Sequence, residues 1–214
     1  MGARKITIEP VTRIEGHGRV TIHLNEQGCV EETFFHVDEF RGLEKFCEGR
    51  PYFEMTQITQ RICGICPVSH HLAAAKVCDG VARVEPPRPA KLLRELMHMG
   101  QMTQSHGMHF FHLAAPDLLL GFDADPAIRN VVGIIQTNPE IALKAVNLRR
   151  FGQRIIERLG AKRIHPNFAV PGGVNAPLSL KDRDEIAAEL GTMIAIAQEA
   201  ISIGKGYLEA NSDL

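Results

Sequence analysis

The stretch Arg61-Ile62-Cys63-Gly64-Ile65-Cys66-Pro67-Val68-Ser69-His70-His71 constrains the fold more than any other part of the sequence. Pro67 suits the first position of a helix, because the missing N–H of proline has no partner to lose there. Cys66 is therefore predicted at or next to the N-cap, where the partial positive charge of a helix start favours thiolate over thiol. His70 is predicted one turn further along the same face. The fold must bring two thiols and an imidazole together at a helix start.

Three kinds of site are compatible with this cysteine pair. A structural zinc site would use Cys63, Cys66, His70 and one further ligand, because such zinc takes four N or S donors. A redox site would use the two cysteines as an exchanging dithiol. A soft transition-metal centre would use the same thiolates, since Cys-x-x-Cys alone does not distinguish zinc, iron–sulfur clusters and nickel.

Further motifs flank the pair in a fixed order. They are Val-Thr-Arg-Ile-Glu-Gly-His at residues 11–17, Arg-Gly-Leu-Glu at 41–44, Phe-Cys-Glu-Gly-Arg-Pro at 46–51, Gln-Met-Thr-Gln-Ser-His at 101–106, His-Pro at 165–166 and Pro-Gly-Gly-Val at 171–174. With Arg-x-Cys-Gly-x-Cys and its following histidine, the set resembles the large, nickel-binding subunit of nickel–iron hydrogenases, and it looks most like that of the soluble, NAD-reducing (bidirectional) branch. The resemblance covers essentially the whole chain but only about the first, N-terminal half of such a subunit.

The resemblance implies a role for each residue of the central stretch. Cys63 would bind nickel terminally, and Cys66 would bridge nickel and iron. His70 would support Cys66 as a hydrogen-bond donor, and Arg61 would help to hold the loop. Thiolates suit such a centre because they are soft ligands.

Two carboxylates receive a role from the resemblance alone. From the residues themselves, Glu15 is interpreted as an exposed turn residue paired with Arg13 or Arg19, and Glu44 as a first-turn or surface acid. The resemblance implies instead that Glu15 is the first proton acceptor of the active site. It also implies that Glu44 is a magnesium ligand, which agrees with the preference of magnesium for oxygen donors.

The order of patterns predicts an α+β fold, mainly α, formed as a single unit over residues 1–214. Residues 1–50 are predicted to be β-rich with active-site loops, because β-branched residues cluster at 5–9 and 18–24 around turn signals. Residues 51–214 are predicted to be helical. We expect a small N-terminal antiparallel sheet packed on a bundle of long helices, the type that the hydrogenase resemblance also implies.

The charge balance and the cysteine content limit which partners and which cellular compartment suit the chain. The 24 basic residues balance 25 acidic ones, so the charge favours neither nucleic acid nor an anionic membrane. No run of about 18 apolar residues is present, which predicts no direct membrane insertion. The five cysteines are odd in number and unevenly spaced, as expected for reduced thiols in the cytoplasm. Cys29, Cys47 and Cys78 each stand alone and are predicted to be buried small hydrophobic residues.

The resemblance also implies cofactors and partners. They are a nickel–iron centre with diatomic iron ligands, magnesium, and H2 as substrate. The sequence has no nicotinamide-binding glycine fingerprint and too few cysteines for an iron–sulfur relay. Iron–sulfur clusters, flavin and NAD are therefore expected only on partners, namely an iron–sulfur small subunit and diaphorase flavoprotein subunits. His165 is a loop histidine on its residues alone, and the resemblance implies a position near the small-subunit interface.

The predicted function is that of the active-site subunit of a nickel–iron hydrogenase, or its N-terminal portion. Such a subunit would catalyse reversible oxidation of H2 to protons and electrons, coupled to NAD reduction through partner subunits. The alternative is a structural zinc-binding or non-catalytic homologous subunit that uses Cys63, Cys66 and His70. Metal content distinguishes the two.

Overall fold

The computed structural model describes residues 4–212 of the chain. Helices predominate and the strands form a small antiparallel sheet and a short hairpin, which confirms the predicted α+β, mainly α class. The chain divides into two compact units, one ending at Glu48 and the other beginning at Gly49. This boundary lies close to the predicted change from β-rich to helical structure, and the joining of both parts into a single unit stays a prediction.

The first unit is a three-stranded antiparallel sheet in the order β1-β2-β3, followed by a short helix. The register of this sheet places Ile6 opposite Ile22 and Val20 opposite Phe35. The Asn25 side chain accepts hydrogen bonds from the backbone N–H of Gln27 and Cys29, which closes the turn between the last two strands of this sheet. The elements are β1 (Arg4–Ile8), β2 (Gly18–Leu24), β3 (Val30–Val37) and α1 (Leu43–Cys47).

The second unit is built from helices of very different length. Short 3-10 segments at Tyr52–Glu54 and Thr59–Ile62 flank the first of them, and a π-helical segment at His109–Ala114 follows the third. The elements are α2 (Met55–Ile58), α3 (Pro67–Ala82), α4 (Arg88–Met108), α5 (Ala115–Leu120), α6 (Val131–Thr137), α7 (Pro139–Gly160), the hairpin strands β4 (Ala169–Val170) and β5 (Gly173–Val174), and α8 (Leu180–Ala210).

Glycines let α4 and α7 approach each other closely at the centre of this unit. A Cβ atom on Gly152 would lie 2.4 Å from the Gly100 carbonyl oxygen and 2.7 Å from the Gln104 backbone nitrogen. Backbone therefore packs on backbone here, and apolar side chains fill the space around the contact. The buried core includes Met97, Phe111, Leu148, Phe151, Ile155, Ile156 and Phe168.

A buried histidine fastens α3 to its neighbours. His71 is fully buried, and its Nδ1 donates to the Thr56 carbonyl oxygen at 2.8 Å, because a carbonyl can only accept. Its Nε2 must then accept, and it receives the backbone N–H of Ala169 at 2.8 Å and that of Phe168 at 3.4 Å. Burial lowers the pKa of His71, the Thr56 hydrogen bond opposes this, and the Arg94 charge lowers it further. The neutral ring is thus the form that the fold holds.

A buried ion pair fastens the β4–β5 hairpin to both α3 and α4. Arg94 donates to the Asp79 carboxylate at 2.6 and 3.3 Å, and to the carbonyls of Val170 and Gly173. The Gly172 N–H donates to Asp79 at 2.7 Å. Burial raises the pKa of Asp79, but these hydrogen bonds and the Arg94 charge outweigh it, so the pKa is lowered. The carboxylate stays charged because its partners satisfy it.

The last helix begins at a serine N-cap. The Ser179 hydroxyl accepts the Asp182 N–H at 3.0 Å as an N-cap, and α8 then runs for 31 residues. Its length and composition are sufficient to cross a membrane, and 17% of its most apolar window is buried. Core helices of proteins without membrane spans have the same length and composition, so the absence of membrane insertion stays a prediction.

The three isolated cysteines differ in environment. Cys78 is buried as predicted, its Sγ lies 3.2 Å from the Tyr52 carbonyl oxygen, and burial raises the pKa of its thiol. Cys47 is half-buried. The prediction for Cys29 is wrong, because this residue is exposed. It lies between the Asn25–Gly28 turn and β3, where its carbonyl accepts the Asn25 N–H, and its side chain lies at the exposed end of this hairpin.

Replacing Gly152 tests the close helix contact. Gly152→Ala should lower the free energy of unfolding by about 1–3 kcal/mol, because the added methyl group overlaps backbone atoms that cannot move independently. Gly191→Ala is the matched control, since that glycine lies in α8 with nothing within 4 Å of an added Cβ, and it should stabilise by up to about 1 kcal/mol. Chemical denaturation of both variants measures the difference, and equal stabilities would contradict the close packing.

The buried His71 predicts acid-sensitive stability. The pKa of His71 in the folded chain lies below its unfolded value of about 6.5. The contribution of His71 to folding stability is therefore complete above that pH. It is lost as the pH falls, because the unfolded chain binds the proton more readily than the folded chain. The slope is at most about 1.4 kcal/mol per pH unit. His71→Gln should be less stable at pH 7 and should lose this part of the slope. Denaturation curves from pH 7 to pH 5 compare the two, and an identical slope would show that His71 does not cause it.

Candidate metal centre

The cysteine pair lies at the start of α3, as predicted. The 3-10 segment ends at Ile62, Cys63 is extended, and Cys66 is the N-cap residue with Pro67 at the first helical position. The two sulfur atoms are in bonding contact as a disulfide, and the two Cα atoms lie 5.5 Å apart. The loop therefore points both sulfurs to one place. Reduction of the pair would leave two thiolates side by side, the form in which cysteine binds a metal.

An imidazole completes a three-donor cluster with this pair. One ligand atom each from Cys63, Cys66 and His70 lies within 4.8 Å of the other two. Cys63 is buried, and the other two residues are half-buried, so the cluster is reached from one side. Within residues 4–212 no other group of three or more His, Cys, Asp or Glu side chains gathers ligand atoms this closely.

The peptide between the two cysteines is held at both ends. The Ile65 carbonyl accepts hydrogen bonds from the side-chain amides of Gln101 at 3.2 Å and Gln104 at 3.0 Å. On the other side of the same peptide, the Cys66 N–H donates to the Cys63 sulfur at 3.1 Å. These two glutamines are part of the Gln-Met-Thr-Gln-Ser-His motif, but sequence reasoning gave them no role, because their hydrogen-bond partner Ile65 lies 36 and 39 residues away.

Arg61 reaches a second loop rather than a carboxylate. Its guanidinium lies 3.3 Å from Nδ1 of His165, a residue with a left-handed backbone at φ 54°. Burial lowers the pKa of His165, and the Arg61 charge lowers it further, while hydrogen bonds with the backbone of Cys63 and Gln60 act in the opposite direction. The neutral His165 ring therefore links the segment before Cys63 to the loop after α7.

The two predicted carboxylates belong to the first unit, whereas Arg61, Cys63, Cys66 and His70 belong to the second. Glu15 is exposed in the loop between β1 and β2, directly before Gly16. Gly16 has φ 80°, and a Cβ there would lie 2.8 Å from the Glu39 carboxylate, which accepts the His17 N–H. The hydrogen bonds between His17 and Glu39 join the loop that carries Glu15 to the segment after β3.

Glu44 lies in the first turn of α1 and is exposed. It accepts a hydrogen bond from the Arg41 guanidinium at 2.7 Å and one from the Gly42 N–H at 3.3 Å. Its own backbone N–H lowers its pKa most, followed by the Arg41 hydrogen bond and charge. Glu44 is therefore an ionised carboxylate, and its charge is already shared with an arginine.

The donor chemistry of the cluster fits a soft or borderline metal. Two thiolates and one imidazole suit nickel, iron and zinc, and the half-buried face leaves room for ligands from elsewhere. These three donor atoms are compatible with each of these metals and do not distinguish between them. They also do not exclude dithiol–disulfide exchange by the same pair.

Two family models match the chain. The model described as "Nickel-dependent hydrogenase" matches residues 41–128, which include the cysteine pair, and the model described as "HoxL-like" matches residues 5–40. The two matches are consecutive. They cover the sheet, the loop that carries Glu15, and the helices up to the segment that follows α5.

Individual relatives match over nearly the whole chain. A vhu-type subunit of the F420-non-reducing hydrogenase of Methanocaldococcus jannaschii is 50% identical over 201 residues, covering 94% of this chain and 48% of the relative. The NAD-reducing hydrogenase HoxS subunit beta of Cupriavidus necator is 46% identical over 188 residues, covering 85% of this chain and 38% of the relative. The chain thus spans about half the length, or less, of these curated relatives.

A solved structure has the same fold. The crystal structure of an NAD⁺-reducing [NiFe]-hydrogenase in the H2-reduced state matches with a TM-score of 0.94 and 46% identity, over 98% of this chain and 47% of that one. A [NiFeSe]-hydrogenase of Dm. baculatum matches with a TM-score of 0.81 and 28% identity, over 100% of this chain and 47% of that one. Fold, motifs and sequence identity agree, and the chain belongs to the family of nickel–iron hydrogenase large subunits.

Proposed function

We propose that this chain forms part of the active-site subunit of a nickel–iron hydrogenase and takes part in reversible oxidation of H2 to protons and electrons. The observation that carries the proposal is the cluster of Cys63, Cys66 and His70 at the start of α3, with all three ligand atoms within 4.8 Å. Membership in the hydrogenase family supports nickel and iron as the metals. The chain spans about half the length of these relatives, so the activity of the whole enzyme is part of the proposal.

The two cysteines are the proposed ligands of the nickel–iron centre. Cys63 would bind nickel, and Cys66 would bind both nickel and iron. The bound centre, with its diatomic iron ligands, supplies the redox chemistry by which H2 is split. The chain would supply two thiolates, and the helix start at Cys66 and the Cys66 N–H that donates to the Cys63 sulfur would stabilise them. His70 places a ring nitrogen within 4.8 Å of both sulfurs, and Arg61 holds the preceding segment through His165.

Glu15 is the proposed first proton acceptor. Its support is the Arg-Ile-Glu-Gly-His sequence at residues 13–17 and the loop geometry around Gly16, which gives the side chain a defined starting point. A carboxylate can take up a proton from a reacting group and release it to water. This role requires a side chain that gains and loses a proton reversibly, and an amide at the same position cannot do so.

Glu44 is a proposed magnesium ligand. Its ionised carboxylate suits a hard cation, but it pairs with Arg41, and it offers one carboxylate where magnesium takes about six oxygen ligands. Water and residues beyond those described would have to supply the others. The resemblance at Arg41-Gly42-Leu43-Glu44 remains the support for this assignment.

The electron acceptor and the partners are also proposals. An iron–sulfur small subunit would receive the electrons, because the five cysteines of this chain do not suffice for a cluster relay. Coupling to NAD through diaphorase flavoprotein subunits is supported by the NAD-reducing relatives. F420-non-reducing hydrogenases match at a similar level, and they give no support for NAD as the acceptor. A cytoplasmic location would follow from the NAD-reducing assignment.

Metal content after maturation with partner subunits tests the proposal. The purified protein should contain nickel and iron and show the infrared bands of diatomic ligands on iron. Cys66→Ser should remove nickel and H2 oxidation together, because a hydroxyl is a poor substitute for a soft bridging thiolate. Cys29→Ser is the matched control, since Cys29 is an exposed free thiol in the other unit, and it should keep both.

Two results would contradict this assignment. Full nickel content in Cys66→Ser would exclude Cys66 as a ligand. One equivalent of zinc, without nickel, iron or the infrared bands, would favour the structural zinc alternative at Cys63, Cys66 and His70. Elemental analysis distinguishes these outcomes.

Glu15→Gln tests proton transfer separately from assembly. Metal content and infrared bands should stay as in the wild type, because glutamine keeps the shape of the side chain. H2 oxidation and exchange of H2 with deuterated water should fall by about a hundredfold or more, because both need proton transfer to solvent. Conversion of para- to ortho-hydrogen needs no such transfer and should persist.

The control for this test is Glu26→Gln, which changes an exposed carboxylate in a turn of the same unit and should leave every rate unchanged. Isotope exchange at the wild-type rate in Glu15→Gln would remove Glu15 from the proton path. Glu15 would then be a turn residue only.

A further inference from the structure

The side chains of two buried glutamines on α4 reach the loop between Cys63 and Cys66. Gln101 and Gln104 are each 2% exposed and lie three residues apart, so they share one helix face. Both side-chain amides donate to a single acceptor, the carbonyl oxygen of Ile65, which lies between Cys63 and Cys66. A carbonyl oxygen has two lone pairs, and the two amides occupy both.

Packing alone does not explain why these side chains are polar. The Gln101 Oε1 atom is buried and has no hydrogen-bond partner among the described residues. An unsatisfied buried polar atom costs about 1–3 kcal/mol, whereas a leucine or methionine of similar size would cost nothing of that kind. The hydrogen bond from the Gln101 amide nitrogen to the Ile65 carbonyl is the stabilising contact that an apolar residue at this position could not make.

The clamp formed by Gln101 and Gln104 acts on the sulfur of Cys63 through a rigid peptide. The Ile65 carbonyl and the Cys66 N–H belong to the same planar peptide unit and point in opposite directions. Fixing the carbonyl therefore fixes the N–H, which donates to the Cys63 Sγ at 3.1 Å. A hydrogen bond to a thiolate withdraws electron density from sulfur and stabilises its charged, metal-binding form.

We propose that Gln101 and Gln104 are positioning residues that hold the Ile65–Cys66 peptide so that its N–H donates to the Cys63 thiolate, and thereby set the affinity and electron density of that ligand for a soft metal. This inference rests on the proposed function for its biological meaning. Its geometry concerns the loop itself and can be tested in the reduced chain with cobalt(II) alone. Both amides act through the Ile65 carbonyl rather than on a ligand atom.

The test uses variants that remove the donor and keep the size. Gln101→Met, Gln104→Met and the double variant replace an amide with an unbranched side chain of the same length. Gln153→Met is the matched control, because the Gln153 amide also donates to a backbone carbonyl, that of Arg163, away from the loop. Thermal unfolding of each variant establishes that it is folded, and either single variant serves if the double variant does not fold.

Two measurements then report on the clamp. In the reduced chain titrated with cobalt(II), the double variant should bind about tenfold or more weakly, and its thiolate-to-metal absorption band should shift to lower energy. In the reduced, metal-free chain, hydrogen exchange at the Cys66 amide should become about tenfold faster. The control should match the wild type in both, even where its thermal midpoint falls.

A folded double variant with wild-type cobalt affinity and band position would overturn the proposal, as would unchanged exchange at the Cys66 amide. If the wild-type chain binds no cobalt, the exchange measurement alone decides. A clamp that behaves as expected in a protein without hydrogenase activity contradicts the proposed function only. An active enzyme whose double variant shows none of these changes contradicts the clamp only.

Discussion

The close approach of α4 and α7 is the constraint on which the helical unit depends. Gly152 lies against the Gly100 carbonyl, and a Cβ on Gly100 would itself lie 2.9 Å from an Ile155 methyl carbon. The same contact reaches the backbone nitrogen of Gln104. The glycine contact and the two glutamines of α4 therefore depend on each other, because any shift of α4 also moves the two amides that donate to the Ile65 carbonyl.

Buried hydrogen bonds and an ion pair hold α3 at several points along its length. Its first residues follow the clamped peptide, His71 joins it to Thr56 and the Phe168–Ala169 backbone, and Asp79 joins it through Arg94 to the β4–β5 hairpin. Buried polar groups are costly unless they are bonded, so only one relative placement satisfies them all. An apolar core alone would tolerate small slips of α3, and such slips would separate the ligand atoms at its start.

Local signals in the sequence predicted the elements, and long-range contacts decided the rest. Pro67 starts a helix through chemistry confined to a few neighbouring residues, so this helix start was predicted. Gln101 and Gln104 act on a carbonyl more than thirty residues away, and a glutamine within a helix carries no local mark of its partner. The exposure of Cys29 likewise depends on which elements cover it, which the pattern of one segment does not contain.

The two cysteine sulfurs differ in their surroundings. The Cys63 sulfur receives the Cys66 N–H, and Cys63 is buried. The Cys66 sulfur forms no capping bond at the start of α3, and Cys66 is half-buried. The hydrogen bond to Cys63 depends on a single peptide plane, because the peptide whose carbonyl accepts from Gln101 and Gln104 also carries the N–H that donates to the Cys63 sulfur. A rotation of this peptide would therefore remove the hydrogen bond to the sulfur and the contacts with α4 together.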